Sequence, residues 1–188
     1  MTGSTPVETI LALESGPNIS TARNKITADF LTRKSPWLLM VDTDMVFTHD
    51  AVTRLVAAAD PDRRPVIGGL CWTLAHGEQQ ATMYELVRND TGMPALVALT
   101  SWPEDQPVRV TSTGTAFLLM HRRALRKIAK HANDVAAPWF RETATGPMAL
   151  MGEDMTFCLR AGAAGVPVHV HTGVQVGHMK TTMIGKAA

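Results

Sequence analysis

Residues 37–47 read WLLMVDTDMVF, Trp37 to Phe47. Five apolar residues run straight into two carboxylates, Asp42 and Asp44, spaced by one residue. A continuous apolar run of this length predicts a strand buried on both faces of a sheet. Carboxylates at its end have two uses. They bond nearby backbone amides in a turn, or they hold a hard divalent cation, Mg²⁺ or Mn²⁺, that bridges phosphates. Capping the following helix does not require them, because Thr48 is placed to do that.

Working outward, Ser20 is a candidate N-cap. Ala22, Ile26 and Phe30 form a helical stripe through about Thr32, which Lys34-Ser35-Pro36 breaks. Val7 to Leu13 fits a short strand upstream. On the other side, Val52, Leu55, Val56 and Ala59 give an apolar helix face that Pro61 stops. Pro65 to Trp72 reads as a strand in which Gly68-Gly69 permits close backbone approach.

Met83–Val87, Ala95–Leu99 and Val108–Val110 fit short strands, and Gly114–Met120 a strong one feeding a helix from Arg122 to about His131. Pro138–Pro147 is loop-like. Glu153–Ala163 is helical, with Gly165 able to end it, and Val166–His171 is a final strand before a Gly-rich, weakly structured tail over 172–188. Strands alternate with helices, which predicts one α/β domain over 1–188, an α/β/α sandwich with a mixed, mostly parallel central sheet. Ligands of such sheets bind beyond the carboxyl ends of the strands, where Asp42 and Asp44 lie.

Composition supports this and excludes other classes. The chain has 188 residues, 45% apolar and 19% charged, which is a globular balance. The net charge of +1 and the lack of a long basic run give no support to nucleic-acid binding. No apolar run approaches the ~20 residues that span a bilayer, and the first residues lack a leader pattern, so a cytoplasmic protein is expected. Cys71 and Cys158, each among apolar neighbours, read as buried free thiols.

Three more motifs carry possible chemistry. Gly152-Glu153-Asp154-Met155 opens a helix, where acidic residues favour the helix dipole or where a carboxylate accepts a proton from a hydroxyl. Gly177-His178-Met179 follows His169 and His171, which share a strand face by alternation. A neutral imidazole such as His178 completes a Mn²⁺ shell begun by carboxylates, or is structural. Ser112-Thr113-Gly114-Thr115-Ala116-Phe117 is either a plain loop-to-strand junction or a place where a ligand meets backbone at Gly114. No zinc-type spacing, Walker loop or Gly-x-Gly-x-x-Gly occurs.

In their order, VDTDMVF, STGTAFLLMHRRAL, GEDMTFCLRAGAAGVPVHV and Gly177-His178, with Ala22-Arg23-Asn24 ahead of them, these segments resemble a GT-A-fold glycosyltransferase. The resemblance is to family 2 and its compact phage and bacterial relatives, over roughly residues 15–180. It implies a Rossmann-related GT-A-like fold and a nucleotide-diphosphate sugar as donor, with Mn²⁺ or Mg²⁺ offsetting the diphosphate charge. Asp44 would be a direct metal ligand. Asp42 would contact the ribose, or the metal through water, and His178 would complete the metal site. Arg23 would lie near the diphosphate or nucleotide, supported by Asn24, with Gly114 and Thr115 near the donor sugar. Asp154 would be the base that deprotonates the acceptor hydroxyl, and Glu153 would bind acceptor or sugar.

The family usually begins with a strand and helix for which the residues before Ala22 leave too little room. The first βα unit is therefore expected to be missing. Two other readings follow: a non-catalytic interaction protein on a truncated GT-A scaffold, and a nucleotidyltransferase, which usually needs a Gly-rich basic loop not found before Asp42. The sugar, the base, the acceptor and the oligomeric state are not legible. Trp102 and Trp139-Phe140 are candidates for an acceptor platform or for core.

Overall fold

The computed structural model describes residues 18–75, 77–90, 92–146 and 149–179. The elements, in order, are α1 (Ile19–Thr32), β1 (Trp37–Val41), β2 (Met45–Phe47), α2 (Ala51–Ala58), β3 (Val66–Ala75), β4 (Glu78–Ala81), β5 (Met83–Arg88) and β6 (Pro94–Ala98). There follow β7 (Pro107–Val110), β8 (Ser112–Thr113), β9 (Phe117–His121), α3 (Arg122–Ala132), β10 (Thr143–Gly146), β11 (Ala149–Met151), α4 (Glu153–Ala163) and β12 (Val168–His178). The strand expected over Val7–Leu13 lies outside the described residues, as do residues 180–188.

The central sheet runs β1-β9-β3-β12-β2, with β4 joined to β3 and β7 to β12. It is mixed, as the alternation of elements implies. β1, β3 and β12 point the same way, but β9 is inserted antiparallel between β1 and β3, so parallel neighbours occur only at β3–β12. A small sheet β6-β5-β8 and the hairpin β10-β11 stand beside it.

The sheet separates two apolar layers. On one face Phe30 of α1, Leu125 and Ile128 of α3 and Phe157 and Ala161 of α4 pack with Leu70, Leu118 and Met120. On the other, Ala51 and Leu55 of α2 pack with Ile67, Phe117, Leu119, Val174 and Val176. β9 alternates between these layers and is buried along its whole length. The strand buried on both faces is thus β9 and not β1. β1 is the edge of the described sheet, with Leu38 and Met40 buried and Val41 exposed.

Several local expectations are corrected. Asn18, not Ser20, caps α1, accepting from Thr21 N at 2.8 Å. The cap position of α2 is Asp50, without a side-chain cap bond, while Thr48 bonds the Asp50 carboxylate. Within the loop-like 138–147 stretch, Trp139 and Phe140 are buried, and Thr143–Gly146 pairs with β11.

Residues 172–178 are strand rather than tail. β12 continues to His178, with a register shift between His171 and Gln175. Gly173 sits in that bulge, where a Cβ would fall 1.9 Å from Asp105 Oδ1 and 2.6 Å from an Arg54 nitrogen. The glycine that suggested a loop is there because two side chains close over the backbone.

Candidate functional site

The turn after β1 is built by backbone bonds from three directions. Asp42 N donates to Ala116 O at 2.9 Å, extending the β1–β9 ladder, and Met45 N donates back to Asp42 O at 3.2 Å. Met179 N donates to Asp44 O at 2.8 Å, tying the end of β12 to the same turn. This gathers the DxD segment, the Gly114–Ala116 segment and Gly177-His178 at the carboxyl ends of β1, β3 and β12.

The two aspartates have different partners. One Arg23 nitrogen donates to both oxygens of Asp42 at 3.0 Å, and the other donates to Glu153 Oε1. Arg23 is buried and clasps α1, the turn and the first turn of α4 together. Asp44 instead meets His178, whose Nε2 lies 2.7 Å from Asp44 Oδ2.

A carboxylate oxygen beside an imidazole nitrogen is a donor set that suits Mn²⁺. No group of three or more His, Cys, Asp or Glu that could hold a metal ion occurs among the described residues. A single carboxylate–imidazole pair is fewer ligands than an all-protein cage supplies; Mg²⁺ sites commonly use one or two carboxylates and complete the shell with water and substrate phosphates. Asp42, engaged by Arg23, is not part of that pair.

Asp154 opens α4 beside Glu153. Its Oδ1 accepts from Met155 N at 2.7 Å. Burial pushes its carboxyl above the ordinary aspartate value, the charge of Glu153 adds to the shift, and the Met155 amide and Arg23 oppose it. Such a carboxylate is a better base than an exposed one.

Asn24 is fully engaged within the protein. Its Nδ2 donates to Ser20 O and Phe140 O, each at 2.7 Å, and its Oδ1 accepts from Trp139 N at 3.2 Å and Phe140 N at 3.3 Å. It anchors the 139–140 segment against α1, one residue from Arg23. The Trp139 ring donates to Leu125 O and the Phe140 ring stacks on Phe157, so both are core. Gly114 lies against Thr82, whose Oγ1 is 3.4 Å from where a Cβ would be. Thr115 is buried, and its hydroxyl has no hydrogen-bond partner among the described residues. A buried hydroxyl of that kind is expected to meet a ligand or water.

His169 and His171 stand apart from this group. His169 lies in register with Ile67 and Arg109, and burial, with Arg64 and Arg109 nearby, holds its imidazole down at about 4. His171 Nδ1 accepts from Gly173 N at 3.2 Å.

Two neighbours of the site were not legible in the sequence. The Cys71 thiol, pushed up to about 12 chiefly by burial, also feels the charge of Asp42. The phenol of Tyr84 is raised by burial and by the charge of Asp154, and bonds Gln80. No motif marks either residue, because their place depends on the β3–β4–β5 path.

No protein-family model matches the chain, and no curated protein matches it. Solved structures do. A197 from STIV aligns with a TM-score of 0.55 at 16% identity, over 87% of this chain and 69% of that one. GalNAc-T7, solved with UDP, GalNAc and Mn²⁺, aligns with a TM-score of 0.55 at 13% identity, over 85% of this chain and 30% of that one. The chain thus spans less than a third of the length of GalNAc-T7. At these identities the likeness concerns the fold, which is related to GT-A. No helix among the described residues is long and apolar enough to cross a membrane.

Proposed function

We propose that the protein is a metal-dependent glycosyltransferase, close in kind to family 2, that moves a sugar from a nucleotide-diphosphate donor to an acceptor hydroxyl with inversion. The observation that carries this reading is the approach of His178 to Asp44, 2.7 Å apart, at strand ends that also hold the Arg23 clasp and Asp154. The Arg23 bridge stabilises the fold, but the carboxylate–imidazole pair and the buried aspartate beside it are what this reading rests on. The fold shared with a protein crystallised with UDP, GalNAc and Mn²⁺ supports the same reading.

Asp44 and His178 would hold Mn²⁺ or Mg²⁺, which when bound supplies a Lewis acid for the diphosphate. Asp42, fixed by Arg23, would orient the nucleotide through the ribose. Arg23 has both arms on carboxylates, so its part is to position Asp42 and Glu153. The Gly114 backbone and the Thr115 hydroxyl would meet the donor sugar, and Glu153 would line the sugar or acceptor.

Asp154, with Oδ1 held by the Met155 amide, would accept the acceptor's proton on Oδ2. The acceptor oxygen then bonds the anomeric carbon as the bond from that carbon to the diphosphate oxygen breaks. The nucleoside diphosphate departs with the electron pair, and the opposite face of the sugar is attacked.

The test is a screen of nucleotide-sugars for Mn²⁺-dependent hydrolysis, which needs no known acceptor, with Asp44→Ala alongside. Release of a nucleoside diphosphate by the wild type and not by the variant is expected. Pyrophosphate release would indicate nucleotidyl transfer instead. Failure of every donor to turn over, with no nucleoside diphosphate bound in calorimetry, would leave the interaction-scaffold reading.

A further inference from the structure

Beyond the residues given roles above, the carboxyl end of β3 presents a half-buried tryptophan whose orientation is fixed by a polar bond. Trp72 Nε1 donates to Gln175 Oε1 at 3.1 Å, and Gln175 Nε2 donates to Thr172 O at 2.7 Å. Trp102 meets the Trp72 ring edge to face, with centroids 6.2 Å apart at 61°. Both rings pack on the core layer that α1, α3 and α4 share, without being buried in it. A large aromatic kept partly exposed and held by a surface glutamine is more than core packing requires.

Its place is defined by its neighbours. Trp72 follows Cys71, whose thiol feels Asp42. Thr82, which contacts Gly114, bonds Cys71 O through N at 2.9 Å and through Oγ1 at 3.2 Å. Trp72 pairs with Ala81 and Thr73 with Gln80, and Gln80 bonds Tyr84, beside Asp154. The end of β3 therefore runs between the aspartate turn and the proposed base. Gly177 follows the Val176–Cys71 pair on β12. A Cβ there would make only ordinary contacts, 3.6 and 3.8 Å from Val46, so the fold does not demand the glycine.

We propose that Trp72, backed by Trp102 and oriented by Gln175, is the platform that positions the acceptor, and that the acceptor is a neutral sugar ring. This rests on the glycosyl-transfer reading. A sugar ring offers an apolar C–H face to the indole and a rim of hydroxyls to amide and phenol groups, here Gln175, Gln80 and Tyr84. The surrounding charges disfavour an anionic acceptor. Asp154 carries its charge beside Tyr84, Glu104 and Asp105 follow Trp102, and Arg54 is already held by Asp105 and the Gly173 carbonyl.

The test uses the full chain with Mn²⁺ and three probes, lactose, maltose and chitobiose. Of the 4 tryptophans, Trp139 is core and Trp37 packs on His121, so a sugar-induced change in emission reports mainly on Trp72 and Trp102. A saturable emission change with at least one sugar is expected. Loss of sugar binding in Trp72→Ala, followed by ligand-observed NMR, is expected too. Trp72→Phe keeps a ring and loses the Gln175 bond and part of the indole's area. It should melt with the wild type and bind several-fold more weakly, which guards against misfolding of the alanine variant. In transfer assays Trp72→Ala should raise the acceptor KM about tenfold and leave the donor KM in place.

If the wild type binds none of the three sugars, or if Trp72→Ala binds as tightly as the wild type, the platform is overturned. If a sugar binds at Trp72 but no donor ever turns over, the platform stands as a sugar site and the glycosyl-transfer reading fails.

Discussion

Arg23→Leu isolates the clasp that ties α1 to the aspartate turn and to α4. The Arg23 side chain is 7% exposed, that of Glu153 13% and that of Asp42 34%. The Glu153 arm dominates, because removing one partner of a buried ion pair costs ~3–5 kcal/mol by leaving the other charge unpaired. The Asp42 arm, a third exposed, adds at most ~1 kcal/mol. The Phe140 ring, 6.0 Å from the guanidinium carbon, lies at the outer limit of a cation–π contact and adds less. Leucine in the same place recovers ~1–2 kcal/mol of apolar burial, so the net loss is about 3 kcal/mol. At ~2–4 °C per kcal/mol for a domain of this size, the melting midpoint should fall by about 6–12 °C. The assay is thermal unfolding of a double-mutant cycle with Glu153→Gln. In the Arg23→Leu background Glu153→Gln should restore much of the loss, a coupling of ~2 kcal/mol, because no buried carboxylate then stands unpaired. The reasoning is refuted if Arg23→Leu melts within about 2 °C of the wild type, or if adding Glu153→Gln restores nothing.

Asp154→Asn keeps an oxygen for the Met155 amide and removes the ionisable group. Burial raises the folded-state value of this carboxyl, so its contribution to stability is fully present below the unfolded value and is lost as pH rises through the folded one. The variant should therefore melt no lower than the wild type at pH 8 and gain on it as pH rises across the carboxylate range, measured by calorimetry. Its sugar transfer should fall about a hundred- to ten-thousandfold. A variant that is clearly less stable at pH 8 would contradict the burial argument. The thiols give a simpler check. Cys71 and Cys158 are buried and pushed up to about 12 and about 11, so neither should react with a disulfide reagent at pH 8 until guanidinium unfolds the protein. A thiol that titrates within minutes in the native protein would show that one of these layers opens.

How far the sequence could be read depends on whether a feature is local. Helix α4 was legible to the residue, because Gly152-Glu153-Asp154 marks its start and Gly165 its end. Gly165 takes φ +65°, donates to Gly162 O at 2.9 Å, and leaves Val166 N to reach Ala161 O. The run Trp37–Val41 was legible as a strand, but not its place in the sheet. Apolar content says that a strand is covered, whereas its neighbours decide whether it is interior. β9 takes the interior place, and it does so by pairing across more than fifty residues of chain, with Trp37 opposite His121 and Val66 opposite Met120. The segment 172–178 failed for the opposite reason. Gly173 and Gly177 are poor strand formers in isolation, and only the pairing of β12 with β3 and β2 and the closure of Arg54 and Asp105 over Gly173 make strand the better state.

The same distinction separates what spacing says about Asp42 and Asp44 from what it omits. In sequence they are equivalent, two carboxylates in one turn. In the fold the turn carries the chain from β1, at one end of the strand order, to β2, at the other. Asp42 consequently belongs to the β1–β9 side, where the Ala116 carbonyl takes its amide and Arg23 takes its carboxylate. Asp44 belongs to the β2–β12 side, where Met45 pairs with His178 and the carboxylate meets the imidazole. A spacing of one residue is therefore the shortest bridge between two sets of partners. This predicts unequal consequences for the two side chains. Asp42→Asn should act mainly through the clasp, lowering the melting midpoint at most slightly because its arm is partly exposed. Asp44→Asn should act on divalent-cation binding, with Mn²⁺ affinity read by electron paramagnetic resonance falling at least tenfold. Equal losses of Mn²⁺ affinity from both substitutions would show that the turn works as one chelating unit after all.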